Sequence, residues 1–272
     1  MDMIYDFNSL PDEIKNYIIS FTKNPVYDLC LIDRYFNDNC KIIKIINNDR
    51  YPNLDDINLM KLINITYLSL YCNKIITDRG IKGLINLKSL SLIGIGDNII
   101  TDNGIKGLTN LTSLNLMYNE VITDEGIKRL TNLTYLHLSQ NKIITDEGTK
   151  GLIKLSSVVL CDNEMITDNG LKELTNLTSL DLSYNRKITD YGIKLLTNLR
   201  SINLEDNQLI TGEVIKNMTN ITKLTLCFNK LITYEDIKGL TCITSLDLSY
   251  NENITNEQVK TFKKLKELIR DN

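Results

Sequence analysis

The dipeptide Ile-Thr recurs along this chain of 272 residues at an almost constant interval, and this period limits the possible folds more than any other feature. Nine of its copies follow this interval, with a first step of 24 residues and later steps of 22; they begin at Ile76, Ile100, Ile122, Ile144, Ile166, Ile188, Ile210, Ile232 and Ile254. A fixed period of this size indicates stacked copies of one small structural unit, none of which can bury its apolar face alone.

One unit, residues 111–132, shows what each copy folds into; it reads LTSLNLMYNEVITDEGIKRLTN. Its start, Leu-x-x-Leu-x-Leu, ends in the alternation of a short strand with one buried face. Asn119 follows, where a buried amide could satisfy backbone groups as the chain turns. Thr123 and Asp124 offer a cap oxygen for a helix, and Ile127 and Leu130 share one face of that helix. The unit therefore predicts an α/β solenoid of about nine parallel strands on the inside, with short helices outside.

The pattern resembles the leucine-rich repeat over about residues 54–270. Its asparagine column comprises Asn73, Asn119, Asn141, Asn163, Asn185, Asn207, Asn229 and Asn251, with Asp97 in that place in a unit two residues longer. The half-repeat ITDxGIKxL is most similar to the cysteine-containing class that is common in F-box proteins, although that class has longer repeats and a cysteine in place of the asparagine. The resemblance implies a curved solenoid that binds partner proteins on its concave, strand-lined face.

The segment before the repeats has a different composition, because all three prolines, Pro11, Pro25 and Pro52, lie there. Ser9 to Asp12 has the features of a helix start, and the spacing of apolar residues predicts two helices, with a third helix at Ile42, Ile43 and Ile46. We therefore expect a small all-α module over residues 1–50 and a solenoid over residues 51–272 that ends in a polar cap at Arg270.

The stretch LPDEIKNYIISF, followed by DLCLIDRYF, resembles an F-box. The resemblance implies docking on a Skp1-type adaptor of cullin-based ubiquitin ligases through apolar residues, which here are Leu10, Pro11, Ile14, Ile18, Leu29, Ile32 and Phe36. The alternative is a helical cap that only covers the exposed core of the first repeat.

Charge and motifs argue against several other classes of protein. The net charge is −3, so no general basic field indicates nucleic acid or an anionic membrane. An acidic start without an apolar run and the lack of about 18 successive apolar residues predict a cytoplasmic or nuclear protein that is not secreted. His137 is the single histidine, and no phosphate-binding or hydrolase motif occurs, so we expect no catalysis, no cofactor and no metal site.

Lysines recur once per repeat on the outer face, as in Lys106 and Lys128. A basic stripe for nucleic acid is one interpretation. Because Asp102 and Asp124 precede these lysines by four residues, local pairing of Asp with Lys on a solvated helix is the interpretation we favour.

Partner contacts are expected where strand residues point to solvent and differ between repeats. The N-terminal strands carry aromatic and apolar residues there, and the C-terminal strands carry acids. We predict that the residues that bind the target are Tyr67, Tyr71, Tyr135, His137, Val159, Asp181, Glu205 and Asp247. The bland alternative is that the many serines in these columns only fill a tightly curved face.

These observations predict a non-catalytic substrate receptor, with one end on the adaptor and the target on the concave face. The alternative is a stand-alone scaffold or regulatory inhibitor whose N-terminus is only a cap. An enzyme that uses His137 and the concave acids ranks third.

Overall fold

A computed structural model describes residues 44–47, 54–94 and 98–270. Strands and helices alternate throughout. The strands are β1 Lys44–Asn47, β2 Tyr67–Leu70, β3 Ser89–Ser91, β4 Ser113–Asn115, β5 Tyr135–His137, β6 Ser157–Val159, β7 Ser179–Asp181, β8 Ser201–Asn203, β9 Lys223–Thr225, β10 Ser245–Asp247 and β11 Glu267–Ile269. The helices, of four residues each, are α1 Asp56–Leu59, α2 Asp78–Ile81, α3 Asp102–Ile105, α4 Asp124–Ile127, α5 Asp146–Thr149, α6 Asp168–Leu171, α7 Asp190–Ile193, α8 Gly212–Ile215, α9 Tyr234–Ile237 and α10 Asn256–Val259.

All eleven of these strands form one parallel sheet in the order of the sequence. Neighbouring strands pair in register, so equivalent residues of successive repeats lie side by side, as Leu114 does beside Leu136. Each helix is the crossover that returns the chain to the start of the next parallel strand. The predicted solenoid is confirmed: β2 to β10 are the nine expected strands, β11 lies at the expected polar cap, and β1 is an additional strand at the start.

The core is a set of aliphatic columns between the sheet and the helices. In the unit at residues 111–132 every apolar position named above is buried to 0% exposure. Its members are Leu111, Leu114, Leu116, Ile122, Ile127 and Leu130, and the other repeats match them closely. Since each repeat covers only the next, the core runs the length of the sheet rather than converging on a centre.

A ladder of buried asparagines follows the strands, as the sequence predicted. The Nδ2 of Asn163 donates to the carbonyls of Leu138 (2.8 Å) and Asn141 (3.1 Å), and its Oδ1 accepts from the N–H groups of Met165 (3.0 Å) and Ile166 (2.9 Å). One side chain thereby satisfies four backbone groups and ties its repeat to the preceding one. The prediction of a buried, bonded amide is confirmed.

The residue directly before each ladder asparagine adopts a left-handed backbone conformation. Eight non-glycine residues do so, with φ between 44° and 57°: Cys72, Tyr118, Gln140, Asp162, Tyr184, Asp206, Phe228 and Tyr250. This conformation turns the chain sharply away from the strand, and Gly, Asn and Asp adopt it most readily.

The predicted third helix is wrong at its C-terminal end, because Lys44–Asn47 is a strand that pairs with β2, with Ile45 opposite Leu68. The isoleucines of this segment are β-branched, and the free edge of β2 offers a complete hydrogen-bonding partner. The predicted adaptor residues, Leu10 to Phe36, lie outside the described residues, as does Asp97. The division at residue 50 stays a prediction.

The predicted pairing of Asp with Lys on the outer face is also wrong. Asp102 accepts bonds from the backbone N–H (2.8 Å) and hydroxyl (2.6 Å) of Thr123 in the next repeat. Lys128 instead pairs with Glu125, three residues before it. The helices are only four residues long, so the lysine lies at the C-cap, and the aspartate lies at the first helical residue beside its neighbour's N-cap threonine.

This carboxylate–threonine ladder joins seven successive pairs, from Asp56–Thr77 to Asp190–Thr211. It also explains the glycine of the ITDxG motif. A Cβ on Gly126 would lie 2.5 Å from the Oδ1 of Asp102, so the carboxylate of one repeat occupies the space that a side chain of the next would need.

The last repeats depart from this arrangement. Gly212 stands in the aspartate column, and the carboxylate that bonds to Thr233 belongs to Asp236 of the same repeat. At the C-terminal end, Arg270 donates to the carbonyl of Ile254, while Leu268 on the edge strand remains 43% exposed.

Candidate protein-binding surface

The side of the sheet that faces away from the helices, which we call the outward sheet face, carries the predicted target-binding residues. They lie there because the first and third residues of each short strand flank one buried leucine, isoleucine or valine. Most of the predicted residues are half-buried by their neighbours: Tyr67, Tyr135, His137, Val159, Asp181, Glu205 and Asp247. Tyr71 lies just beyond β2 and is 58% exposed. The structure spreads these residues over β2 to β10, in two groups along the sheet, and brings Tyr135 and His137 into contact.

The first group is centred on β5. The ring of His137 meets the ring of Tyr135 edge-on, with centroids 6.4 Å apart and an interplanar angle of 86°. Its Nδ1 lies 3.4 Å from the Tyr135 hydroxyl and its Nε2 lies 2.7 Å from the Oγ of Ser139. Both imidazole nitrogens are thus engaged within the strand, and the pair forms one rigid aromatic surface.

Burial determines the protonation of this pair. It lowers the pKa of His137, with the charge of Asp181 acting in the opposite direction. Burial also raises the pKa of Tyr135, and Asp181 adds to that increase. Both side chains of the pair are therefore neutral near pH 7.

The second group comprises the acids of the C-terminal strands. Their carboxylates are partly exposed and also accept hydrogen bonds from neighbouring residues. Oδ1 of Asp181 accepts from the backbone N–H (2.9 Å) and Oγ (2.6 Å) of Ser183, and its Oδ2 accepts from Nδ2 of Asn203 (3.2 Å). Oδ1 of Asp247 accepts from the N–H of Ser249 (2.9 Å). These turns belong to a class in which Asp and Asn serve equally well.

The same position in other strands confirms this equivalence. Asn115 and Asn203 each accept from the N–H two residues ahead, at 3.0 Å. Part of the acidic bias that the sequence shows is thus local turn chemistry. The negative charge itself is not needed for the turn.

Three exposed aromatic residues at the edge of this face were missed by the sequence analysis. They are Tyr184, Phe228 and Tyr250, which we call the aromatic ridge; all three occupy the left-handed position before a ladder asparagine. Phe228 and Tyr250 stack with centroids 4.3 Å apart and planes 5° from parallel. The Tyr184 hydroxyl donates to Glu205 at 2.6 Å, and this bond is the main cause that raises the pKa of Tyr184 to about 12.

Other kinds of site find little support in the described part of the chain. Residues 44–47, 54–94 and 98–270 contain no group of three or more His, Cys, Asp or Glu side chains arranged to hold a metal ion. Across those same ranges, no helix has the length and apolar character needed to cross a membrane. Among the described cysteines, Cys72, Cys161 and Cys242 are free thiols.

Comparison with known proteins agrees with the repeat geometry. Five segments match the model of the Leucine Rich repeat family, at residues 61–85, 107–130, 129–153, 173–196 and 239–260. These segments are leucine-rich repeats. No curated protein is detectably similar in sequence over the chain.

Two solved structures from Listeria monocytogenes share the fold. An internalin (inlF) matches with a TM-score of 0.58 and 24% identity, over 92% of this chain and 76% of that one. An internalin C2 (inlC2) matches with a TM-score of 0.50 and 23% identity, over 80% of this chain and 84% of that one. At this level of identity the likeness concerns the fold.

Proposed function

We propose that the solenoid is a non-catalytic module that binds a protein target on its outward sheet face. The observation that carries this proposal is the Tyr135–His137 pair, a preorganised aromatic surface among small polar side chains on a regular sheet. Rigid, partly exposed aromatic side chains surrounded by small polar ones are typical of the anchor points in protein interfaces. The acids on β7 to β10 would favour a basic region of the target at the other end of the face.

We further propose that residues 1–50 dock on a Skp1-type adaptor, so that the whole chain acts as the substrate receptor of a cullin-type ubiquitin ligase. This part of the proposal rests on the resemblance of Leu10, Pro11 and their neighbours to an F-box. Catalysis would then belong to the partners of this chain rather than to the chain itself.

One observation favours the stand-alone scaffold as the second candidate. The strand Lys44–Asn47 extends the sheet by pairing with β2, as a segment that only caps the first repeat would do. In that case the N-terminal residues would have no adaptor, and the binding face would function alone.

Adaptor binding separates the two candidates. Calorimetry of the full chain with a purified Skp1-type adaptor should detect a complex, and Leu10→Ala with Pro11→Ala should abolish it. Ile85→Ala is the matched control, because Ile85 is an apolar residue that is 60% exposed on the solenoid. If wild-type protein fails to bind the adaptor, the ligase role is refuted and the scaffold remains.

Target binding is tested on the face itself. Tyr135→Ala and His137→Ala should weaken capture of a purified target, whereas Asp181→Asn and Asp247→Asn should weaken only a basic target. The asparagine variants retain the turn bonds to the backbone N–H groups, as Asn115 and Asn203 show, while the charge is removed. Asp181→Asn also gives up the bond from the Nδ2 of Asn203, so its folding is checked by its thermal midpoint. A target that tolerates all four substitutions would exclude this face as its binding site.

A further inference from the structure

The aromatic ridge exposes three large rings at positions where the backbone favours other residues. Tyr184, Phe228 and Tyr250 have φ of 55°, 52° and 53°, and their side chains are 40%, 41% and 61% exposed. The left-handed conformation favours Gly, Asn and Asp, and the chain does place Asp162 and Asp206 in equivalent repeats. The fold therefore requires the turn but does not require an aromatic ring there.

Packing within the chain does not account for the rings either. Phe228 and Tyr250 stack on each other, yet the pair leaves a large part of both side chains in water. A residue that is locally unfavourable and remains exposed is expected at a functional position rather than a structural one.

The surroundings of the ridge indicate the chemistry of what it contacts. The hydroxyl of Tyr184 is bonded to Glu205, and Asp181 and Asp247 lie on strands of the same part of the sheet. Among the outward-pointing residues of β7 to β10, Lys223 is the single base, and beside the ridge the guanidinium of Arg186 is paired with Asp206. Ring faces next to carboxylates are the combination that binds a guanidinium group, which stacks on the ring while its N–H groups reach the acids.

We propose that the aromatic ridge is the edge of a docking surface for an arginine-containing basic segment of a protein partner. The carboxylates of β7 to β10 attract the positive charge, and the Phe228–Tyr250 stack distinguishes arginine from lysine. This inference rests on the proposed binding function of the sheet face and names the partner chemistry for its C-terminal half.

The test compares nona-arginine and nona-lysine as ligands for the full chain at low ionic strength. The combined variant Phe228→Asn/Tyr250→Asn keeps the net charge and suits the left-handed backbone. We expect it to weaken nona-arginine binding by roughly three- to tenfold, to change nona-lysine binding by less than about twofold, and to leave the thermal midpoint unchanged or higher. A structural role for the rings would instead lower the midpoint.

Two further variants keep the result interpretable. Phe228→Leu/Tyr250→Leu retains apolar bulk without a ring face and should lose the same preference for arginine. Asp181→Asn/Asp247→Asn should weaken both peptides alike and leave their ratio unchanged. If both ridge variants retain the wild-type ratio of the two affinities, the ridge proposal is overturned. If the acid variants leave both affinities unchanged while the ridge variants act, the acidic half of the proposed function fails and the ridge stands.

Discussion

The exchange between Gly212 and Asp236 gives a direct test of the carboxylate–threonine ladder. In the seven regular pairs, an aspartate of one repeat accepts from the threonine of the next. In six of them a glycine opposite the aspartate leaves the space, and in the seventh Val214 stands opposite Asp190. For Thr233 the carboxylate comes from Asp236 of its own repeat, which accepts from the N–H (2.8 Å) and hydroxyl (2.7 Å) of this threonine. The glycine, Gly212, lies in the preceding repeat, where the aspartate would otherwise stand. A Cβ on Gly212 would clash with the carboxylate of Asp236. The two positions should therefore be strongly coupled.

The single variants should each destabilise the protein, for different reasons. Gly212→Asp forces two carboxylates into one space, and overpacking of this kind costs about 1–3 kcal/mol. Asp236→Gly removes the acceptor of Thr233, which costs about 1 kcal/mol at a solvent-accessible site, and replaces aspartate by glycine in a helix, which adds roughly 0.5 kcal/mol. The combined variant restores the arrangement of the other repeats, so its free energy of unfolding should be within about 1 kcal/mol of that of the wild type.

Urea denaturation of the full chain measures these differences through the shift of the unfolding midpoint at constant slope. Gly212→Ala is the steric control, because its methyl group must displace Asp236 without offering a replacement carboxylate. A combined variant whose loss equals the sum of the two single losses would refute the reasoning, since it would show that the positions do not share one space.

Three shorter predictions concern single side chains. Asn163→Ala should destabilise by roughly 1–3 kcal/mol in the same denaturation assay, because four backbone groups lose their partner; an unchanged midpoint would contradict the role of the ladder. Burial lowers the pKa of His137, so the folded state binds fewer protons than the unfolded one below about pH 6.5, and stability should fall as the pH drops through that value; thermal melts of His137→Gln should lose that part of the slope. The Glu205 bond raises the pKa of Tyr184 to about 12, and ultraviolet difference titration of wild type against Tyr184→Phe should show this late ionisation, which Glu205→Gln should move back toward about 10.

The sequence predicts the sheet, the core columns and the asparagine ladder because each depends on one residue type at one fixed position. Asn163 shows this well: the residue type, its place after the strand and its burial all agree with the structure. The carboxylate–threonine ladder could not be predicted from the sequence in the same way. Asp102 has a lysine four residues away along the chain, and nothing in the sequence shows that a threonine 21 residues away is nearer in space.

The binding surface was predicted less completely for a related reason. The outward strand positions follow from alternation, which identifies Tyr135 and Asp181. The aromatic ridge occupies a column whose residues range from Cys72 to Tyr250, so no pattern marks it, and its left-handed backbone is visible only in the structure. The one signal available in the sequence was the aromatic residue directly before the ladder asparagine in several repeats.

The change at Gly212 also divides the molecule mechanically. Up to Thr211, each outer-face carboxylate bond crosses from one repeat to the next, and from Thr233 onward the equivalent bond closes within its own repeat. In a solenoid each repeat contacts only its neighbours, so the stability is approximately the sum of the stabilities of the repeats and of the interfaces between neighbouring repeats. The boundary between α8 and α9 is the first of two boundaries that lack this bond, and amide hydrogen exchange should reveal β9 to β11 as a region that opens before the rest. Because Tyr184 lies on one side of this boundary and the Phe228–Tyr250 stack on the other, opening would separate the two parts of the ridge.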